Sequence, residues 1–187
     1  YDRENRKFRV SHSKGGNVYG GSMGRLRKLD GEINPIWPEL AQVKTATVNI
    51  TGGTIKHNVY GGGEFGTVHQ DAHVTIGGKW NAATDAVTAE GTGTVYRDVY
   101  GGGFGSEDYK TSTTIHIKEP DPDNSGQYKD ATYTFTPMQF AGCVGKTTNV
   151  NILGGWVKKN VYGGGEMASV GVVDFAYDLG HIHEAKK

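Results

Sequence analysis

The sequence has a single cysteine, no long apolar run and no net charge. The lone Cys143 excludes a disulfide framework within the chain. No stretch of 18 consecutive apolar residues occurs, so no membrane-spanning helix is predicted. Lysine plus arginine number 20, and so do aspartate plus glutamate. This balance excludes a global field that would favour nucleic acid or an anionic membrane.

Glycine, by contrast, is abundant, with 30 of 187 residues. Most of it lies in a sequence repeat whose clearest phrase, Asn-Val-Tyr-Gly-Gly, begins at Asn17, Asn58 and Asn160 and, with aspartate in place of asparagine, at Asp98. We call this the repeat phrase. Self-similarity of this kind indicates stacked copies of one supersecondary unit, in which glycine marks fixed corners rather than a flexible linker.

An alternating strand and a glycine pair precede the repeat phrase in the fuller copies. The strands begin Val48-Asn49-Ile50, Val74-Thr75-Ile76 and Val150-Asn151-Ile152. A more degenerate copy is predicted from Ile115-His116-Ile117 and Phe140-Ala141-Gly142. Alternation of this type places the aliphatic side chains on one face of a strand. A propeller blade would need about 40 residues, which matches the Tyr60-to-Tyr100 spacing, but the ungapped copies are shorter.

The pattern therefore predicts an all-β chain, a parallel β-helix (solenoid) of about five turns of about 24 residues each. We expect residues 1–187 to form one solenoid domain, a section of a longer repeat protein. Three inserted loops are predicted at about 29–46, 81–96 and 118–138.

Aromatic side chains are the first candidate ligand-binding residues. The tyrosines of the repeat phrase should form one column with Phe140 between the last two, and two tryptophans follow the glycine pair at matching places: Tyr19, Tyr60, Tyr100, Tyr162, Trp80 and Trp156. If the valines of the phrase point inward, the tyrosines form an outer strip able to stack on sugar rings. If the pleat is reversed or broken by the glycines, they pack inside as an aromatic stack.

A second column is predicted from the first residue of each repeat phrase, namely Asn17, Asn58, Asp98 and Asn160. Side chains of this kind at a corner satisfy backbone groups, so a structural ladder is the interpretation that we favour over a polar ligand site.

Signals for catalysis and for metal binding are weak. Glu64 and Glu166 follow the glycines of two copies, but about three turns apart, which exceeds the roughly 10 Å of paired glycosidase carboxylates. Residues 121–126 resemble half of a calcium loop, for which a polar turn is the simpler explanation. The histidine pairs 69/73 and 181/183 lack a third ligand. No catalytic residue, metal site or cofactor is predicted.

The Val-x-Ile, Gly-Gly and Asn-Val-Tyr-Gly-Gly-Gly pattern resembles the repeats of large exported right-handed β-helix proteins of bacteria, of the Bacteroidetes type. The resemblance implies an extracellular or cell-surface location and an adhesin-like or spacer role without enzymatic activity. Glycans or other surface proteins would be its partners, and neighbouring repeats or subunits would cover the solenoid ends. The alternative is a polysaccharide-active β-helix enzyme (lyase or glycoside hydrolase) or its carbohydrate-binding remnant.

Overall fold

The chain is all-β. The computed structural model describes residues 16–24, 41–106, 113–135 and 140–171, and almost no helix occurs there. Nor does this part of the chain contain a helix with the length and apolarity needed to cross a membrane. The strands are β1 Val18–Tyr19, β2 Gln42–Val43, β3 Ala46–Ile50, β4 Thr54–Ile55, β5 Val59–Tyr60, β6 Thr67–Val68, β7 Ala72–Ile76, β8 Gly78–Asn81, β9 Ala86–Ala89, β10 Thr94–Val95, β11 Val99–Tyr100, β12 Thr113–Pro120, β13 Tyr128–Phe135, β14 Thr148–Ile152, β15 Trp156–Val157 and β16 Val161–Tyr162.

Four sheets are parallel and join equivalent positions of successive repeats. Their strand orders are β1-β5-β11-β16, β15-β10-β4, β14-β7-β3 and β2-β6. The register is that of the sequence repeat, since Val74 pairs with Val48 on one side and with Val150 on the other. The predicted all-β, parallel-strand character is confirmed.

The alternation along each strand separates a core face from an outer face. In β3, Ala46, Val48 and Ile50 are buried while Thr47 and Asn49 are exposed, as a strand period of two requires. One buried apolar cluster draws on three of the parallel sheets: Val48, Ile50, Val59, Val74, Ile76, Val95 and Val99. A second cluster, of Ala46, Val68, Ala72 and Val144, adjoins the β2-β6 pair. Burial of these β-branched side chains is the main stabilising term.

Two antiparallel hairpins extend from the parallel sheets. Strands β8 and β9 pair over Gly78–Asn81 and Ala86–Ala89. Strands β12 and β13 pair over Thr113–Pro120 and Tyr128–Phe135. The first hairpin lies mostly within the predicted insertion 81–96. The structure differs at the C-terminal end of that insertion, because Thr94–Val95 already belongs to a parallel sheet.

The degenerate copy predicted at Ile115–Ile117 is not a turn of the parallel stack. These residues lie in β12 and pair antiparallel with β13, within the same hairpin as the predicted insertion 118–138. Strand β7 pairs directly with β14, so no repeat lies between them. In the predicted insertion 29–46, residues 41–46 are described and include Gln42–Val43, paired parallel with β6. Residues 29–40 lie outside the described part.

Candidate functional site

The tyrosines of the repeat phrase form one continuous stack, which we call the tyrosine column. The parallel sheet β1-β5-β11-β16 places Tyr19, Tyr60, Tyr100 and Tyr162 in register. Successive ring centroids lie 4.8, 5.0 and 4.9 Å apart, and the ring planes differ by 9°, 6° and 15°. The face of each ring therefore packs against the face of the next ring, and a sugar ring has no access to these stacked faces.

The tyrosine column lies on the opposite side of its sheet from the valine core, yet it is covered at Tyr60. Val59 and Val99 are buried in the core, whereas Tyr60 points to the other face. Tyr60 is nevertheless only 1% exposed, and Phe104 packs edge-on against it at 6.0 Å. The tyrosines thus lie on the outer side of the sheet, as in the predicted outer strip, but Tyr60 is covered by Phe104 and is buried, as in the predicted inner aromatic stack.

Phe140 does not belong to the tyrosine column. Tyr100 stacks directly on Tyr162, which leaves no place for a ring between them. Phe140 is buried at another place, four residues before Val144 in the chain. Val144 pairs with Val68 and Val170.

The phenol groups of Tyr19 and Tyr60 in the tyrosine column are hydrogen-bonded. The amide nitrogen of Asn17 donates to the Tyr19 hydroxyl at 2.9 Å, and that of Asn58 donates to the Tyr60 hydroxyl at 2.8 Å. The Tyr60 hydroxyl in turn donates to the Glu166 carboxylate. Burial raises the pKa of Tyr60 far above its ordinary value, and the bond to Glu166 raises it further. Burial also raises the pKa of Tyr100, to about 12.

Glu64 and Glu166 are closer to each other along the stack than the sequence spacing indicated. Isolated bridges align Met23, Glu64, Phe104 and Glu166 in that order, so the two glutamates are two repeats apart rather than three. Glu166 also reaches Asn58, whose side-chain nitrogen lies 3.4 Å from a carboxylate oxygen. The contact of Glu166 with Tyr60 could have been suspected from the sequence, because glutamate follows three glycines both at Glu64 and at Glu166.

The first residues of the repeat phrase form a ladder of hydrogen bonds. The side-chain oxygens of Asn17, Asn58 and Asp98 accept from the backbone nitrogens of Asn58, Asp98 and Asn160, at 2.9, 3.0 and 3.1 Å. Each side chain thus satisfies the corner of the next repeat. Aspartate can replace asparagine at position 98 because only an acceptor oxygen is needed for this bond.

Most glycines of the repeat phrase are required by close approach between repeats; the exceptions are Gly163 and Gly164 in the last described copy, where a Cβ would meet nothing within 4 Å. A Cβ atom on Gly62 would lie 2.6 Å from the backbone nitrogen of Gly103 and 2.8 Å from its Cα. A Cβ on Gly61 would overlap the carbonyl oxygen of Gly101. None of these glycines has a positive φ angle, so the constraint is the space between backbones and not the local conformation.

The two candidate tryptophans do not share a column. Trp156 aligns with Thr94 and Thr54 in the β15-β10-β4 sheet. Trp80 lies instead in the β8–β9 hairpin, where its ring stacks on His73 with centroids 3.6 Å apart. The hairpin thus folds back over the outer face of β7, and burial lowers the pKa of His73.

The remaining candidates have local structural roles. Asp121 accepts from the backbone nitrogen of Asp123 and from the Asn124 side chain, which makes the predicted polar turn at the tip of the β12–β13 hairpin. The His69 ring forms a hydrogen bond with the Gln42 side chain at 2.7 Å.

Cys143 is buried, and burial raises its pKa to about 11. Within the described ranges, no three His, Cys, Asp or Glu side chains are grouped to hold a metal ion. The pair 181/183 lies outside those ranges.

Comparisons with known proteins give no match: no family model fits the sequence, and neither the curated proteins nor the solved structures contain a significant relative.

Proposed function

We propose that the parallel sheets are the faces of a parallel β-helix, and that the chain is a non-enzymatic repeat domain of an extracellular or cell-surface protein. Its role would be that of a rigid spacer whose outer faces offer an adhesin-like binding surface. Support for the β-helix comes from the apolar cluster that three parallel sheets share, and from strand pairing in register across successive repeats. Such a stack is stabilised mainly by contacts between neighbouring repeats.

The observation that carries this proposal is the internal use of the repeat phrase. The tyrosine faces stack on one another, the asparagine oxygens accept from the next repeat, and the glycines admit a neighbouring backbone. A motif that serves the stack wherever a following repeat is described indicates a scaffold rather than a single reaction centre. Because the repeat phrase is engaged between repeats, the parts of the domain that can bind a partner are the antiparallel hairpins and the outer faces of the sheets.

The end of the stack formed by β14, β15 and β16 supports a longer array. These strands are the outermost of their sheets. Val161 and Ile152 are 45% and 44% exposed, whereas their paired counterparts Val99 and Ile76 are fully buried. Val170 pairs parallel with Val144, and the Gly171 nitrogen donates to the Val144 carbonyl at 2.9 Å. Val170 therefore completes the last described repeat in register, and we propose that a further repeat of this chain covers the exposed end.

A polysaccharide-active enzyme is the second candidate, and one observation favours it. Glu64 and Glu166 belong to one column beside the tyrosines, closer together than their sequence spacing indicated. Against catalysis, the Glu166 carboxylate is already engaged by Tyr60 and Asn58, which suits a structural acceptor.

A glycan panel with product analysis tests the choice between the two. We expect binding of some glycans without chain cleavage, because the best-placed carboxylate is held by protein donors. Cleavage by the wild-type chain that is lost in Glu166→Gln and retained in the control Glu90→Gln would establish the enzyme instead. Glu90 is an exposed glutamate that pairs with Lys79 at the β8–β9 hairpin, so its change removes a surface charge and a surface ion pair away from Glu166.

A further inference from the structure

One outer face of the stack combines exposed cations with exposed aromatic rings. It is the solvent side of the β15-β10-β4 sheet and the corner that follows it. The inward residues of this sheet, Ile55, Val95 and Val157, contact the apolar core. The exposed residues that alternate with them or follow them are Lys56, Tyr96, Arg97, Trp156, Lys158 and Lys159, which we call the basic–aromatic face.

Backbone pairing fixes the spacing of this face. The Tyr96 nitrogen donates to the Ile55 carbonyl and the Lys158 nitrogen to the Val95 carbonyl, both at 2.9 Å. Lys56, Tyr96 and Lys158 are therefore aligned across three neighbouring strands, about 4.8 Å from one to the next. Arg97 and Lys159 occupy the next position along two of the same strands.

The Lys158 ammonium is held in place by the two aromatic rings. It lies 3.5 Å from the Tyr96 ring centroid and 4.7 Å from the Trp156 ring centroid. Both rings remain open to solvent, with Tyr96 46% and Trp156 62% exposed. An ammonium fixed by cation–π contacts loses less freedom on binding an anion than a free lysine does.

The charge of this face is not neutralised by its surroundings. Within the described part of the chain, Lys56, Arg97, Lys158 and Lys159 form no ion pair. The nearest acidic residue in sequence is Asp98, which accepts from the backbone and side-chain nitrogens of Asn160 and forms no ion pair with these cations, so a single carboxylate faces four cations. Four cations thus lie together on a chain whose formal net charge is zero, which makes the face a local positive patch.

We propose that the basic–aromatic face binds an acidic polysaccharide, with carboxylate or sulfate groups at the cations and sugar rings against Trp156 and Tyr96. This deepens the proposed function, since it names the ligand class of the binding surface. Aromatic rings stack on the C–H faces of sugars, and cations attract the acidic groups.

Other polyanions fit this face less well. Nucleic-acid-binding domains are strongly basic, whereas this chain has a pI of about 7.2. An acidic peptide would lose more conformational freedom on an open surface than a stiff polysaccharide does.

The test is titration of the chain with oligogalacturonate, and with the same oligomer fully methyl-esterified as the neutral control. We expect binding of the acid form only, weakened as NaCl rises from about 50 to about 500 mM. The double variant Lys56→Gln/Lys158→Gln should weaken it by about tenfold, and Trp156→Ala should also weaken it. Lys146→Gln removes an exposed cation elsewhere and should leave the affinity unchanged.

Several outcomes would overturn the proposal. These are absence of binding, equal binding of the esterified oligomer, an affinity insensitive to the double variant, or tighter binding of a single-stranded oligonucleotide or of phosphatidylserine vesicles. Circular dichroism verifies that each variant retains the fold. Cleavage of the oligomer would refute the non-enzymatic function without refuting the face as the binding site, so the two failures are distinguishable.

Discussion

The variant Gly62→Ala is expected to lose about 3 kcal/mol of folding free energy, at the upper end of the range for overpacking. The added Cβ would meet only backbone atoms, the nitrogen and Cα of Gly103 and the carbonyl carbon of Gly102. These atoms cannot retreat without lengthening the 3.0 Å hydrogen bond from the Gly62 nitrogen to the Gly102 carbonyl. Chemical denaturation followed by circular dichroism measures the loss.

Gly164→Ala is the matched control, because Gly164 occupies the same position in the outermost described copy of the repeat phrase. No atom lies within 4 Å of a Cβ built on it. We expect a change within about 0.5 kcal/mol, as for ordinary surface substitutions. Equal losses at Gly62 and Gly164 would show that the glycines are required for some reason other than close approach of stacked repeats.

The variant Tyr60→Ala should lose about 3–5 kcal/mol, the range for removing a large buried aromatic side chain. Tyr60 stacks on a tyrosine on either side and donates to Glu166, so the change opens the middle of the tyrosine column and leaves a carboxylate without its phenol donor. Thermal and chemical denaturation both report the loss.

Two further variants separate the contributions at this position. Tyr60→Phe keeps the ring stack and removes only the hydroxyl, for which we expect about 1–3 kcal/mol. Tyr162→Ala removes a ring that stacks on one neighbour and is 44% exposed, and it should lose about 1 kcal/mol, within the range of a single aromatic pair. Equal losses for Tyr60→Ala and Tyr162→Ala would contradict a covered column and favour an exposed strip.

The parts of the fold that could be predicted are those with a repeated local pattern. Alternation at Val48, Val74 and Val150 fixes which face of each strand is apolar, and the repeat phrase fixes which positions correspond. Together they are sufficient for the parallel pairing of β3, β7 and β14. The columns of tyrosine and of asparagine follow from the same correspondence.

Alternation alone could not predict whether a strand pairs parallel or antiparallel with its neighbour. Ile115-His116-Ile117 has the same period of two as the repeats, but a period says nothing of whether the partner runs parallel or antiparallel. These residues pair with the strand that returns from the nearby turn. Likewise Trp80 matches Trp156 in sequence, but the chain turns into a hairpin at Gly78 and carries Trp80 onto His73.

The cover of the tyrosine column also depends on tertiary structure. Period-two alternation correctly sets Tyr60 opposite Val59, but it cannot reveal that Phe104 and Glu166, from two later repeats, close over the phenol. Alternation does place Lys158 on the same face as Trp156, two residues earlier in the chain, but it could not show the contact with Tyr96, because that contact joins neighbouring strands that are distant in sequence.

The most direct test of the stacked register is disulfide formation between neighbouring repeats, in a background in which Cys143→Ala removes the native thiol. Thr54 and Thr94 face each other across β4 and β10, at a separation of about 4.8 Å, which suits a disulfide. We predict that Thr54→Cys/Thr94→Cys oxidises readily in the folded protein, while the offset pair Lys56→Cys/Thr94→Cys stays reduced. Oxidation of the offset pair, with the in-register pair reduced, would contradict the stack of equivalent repeats.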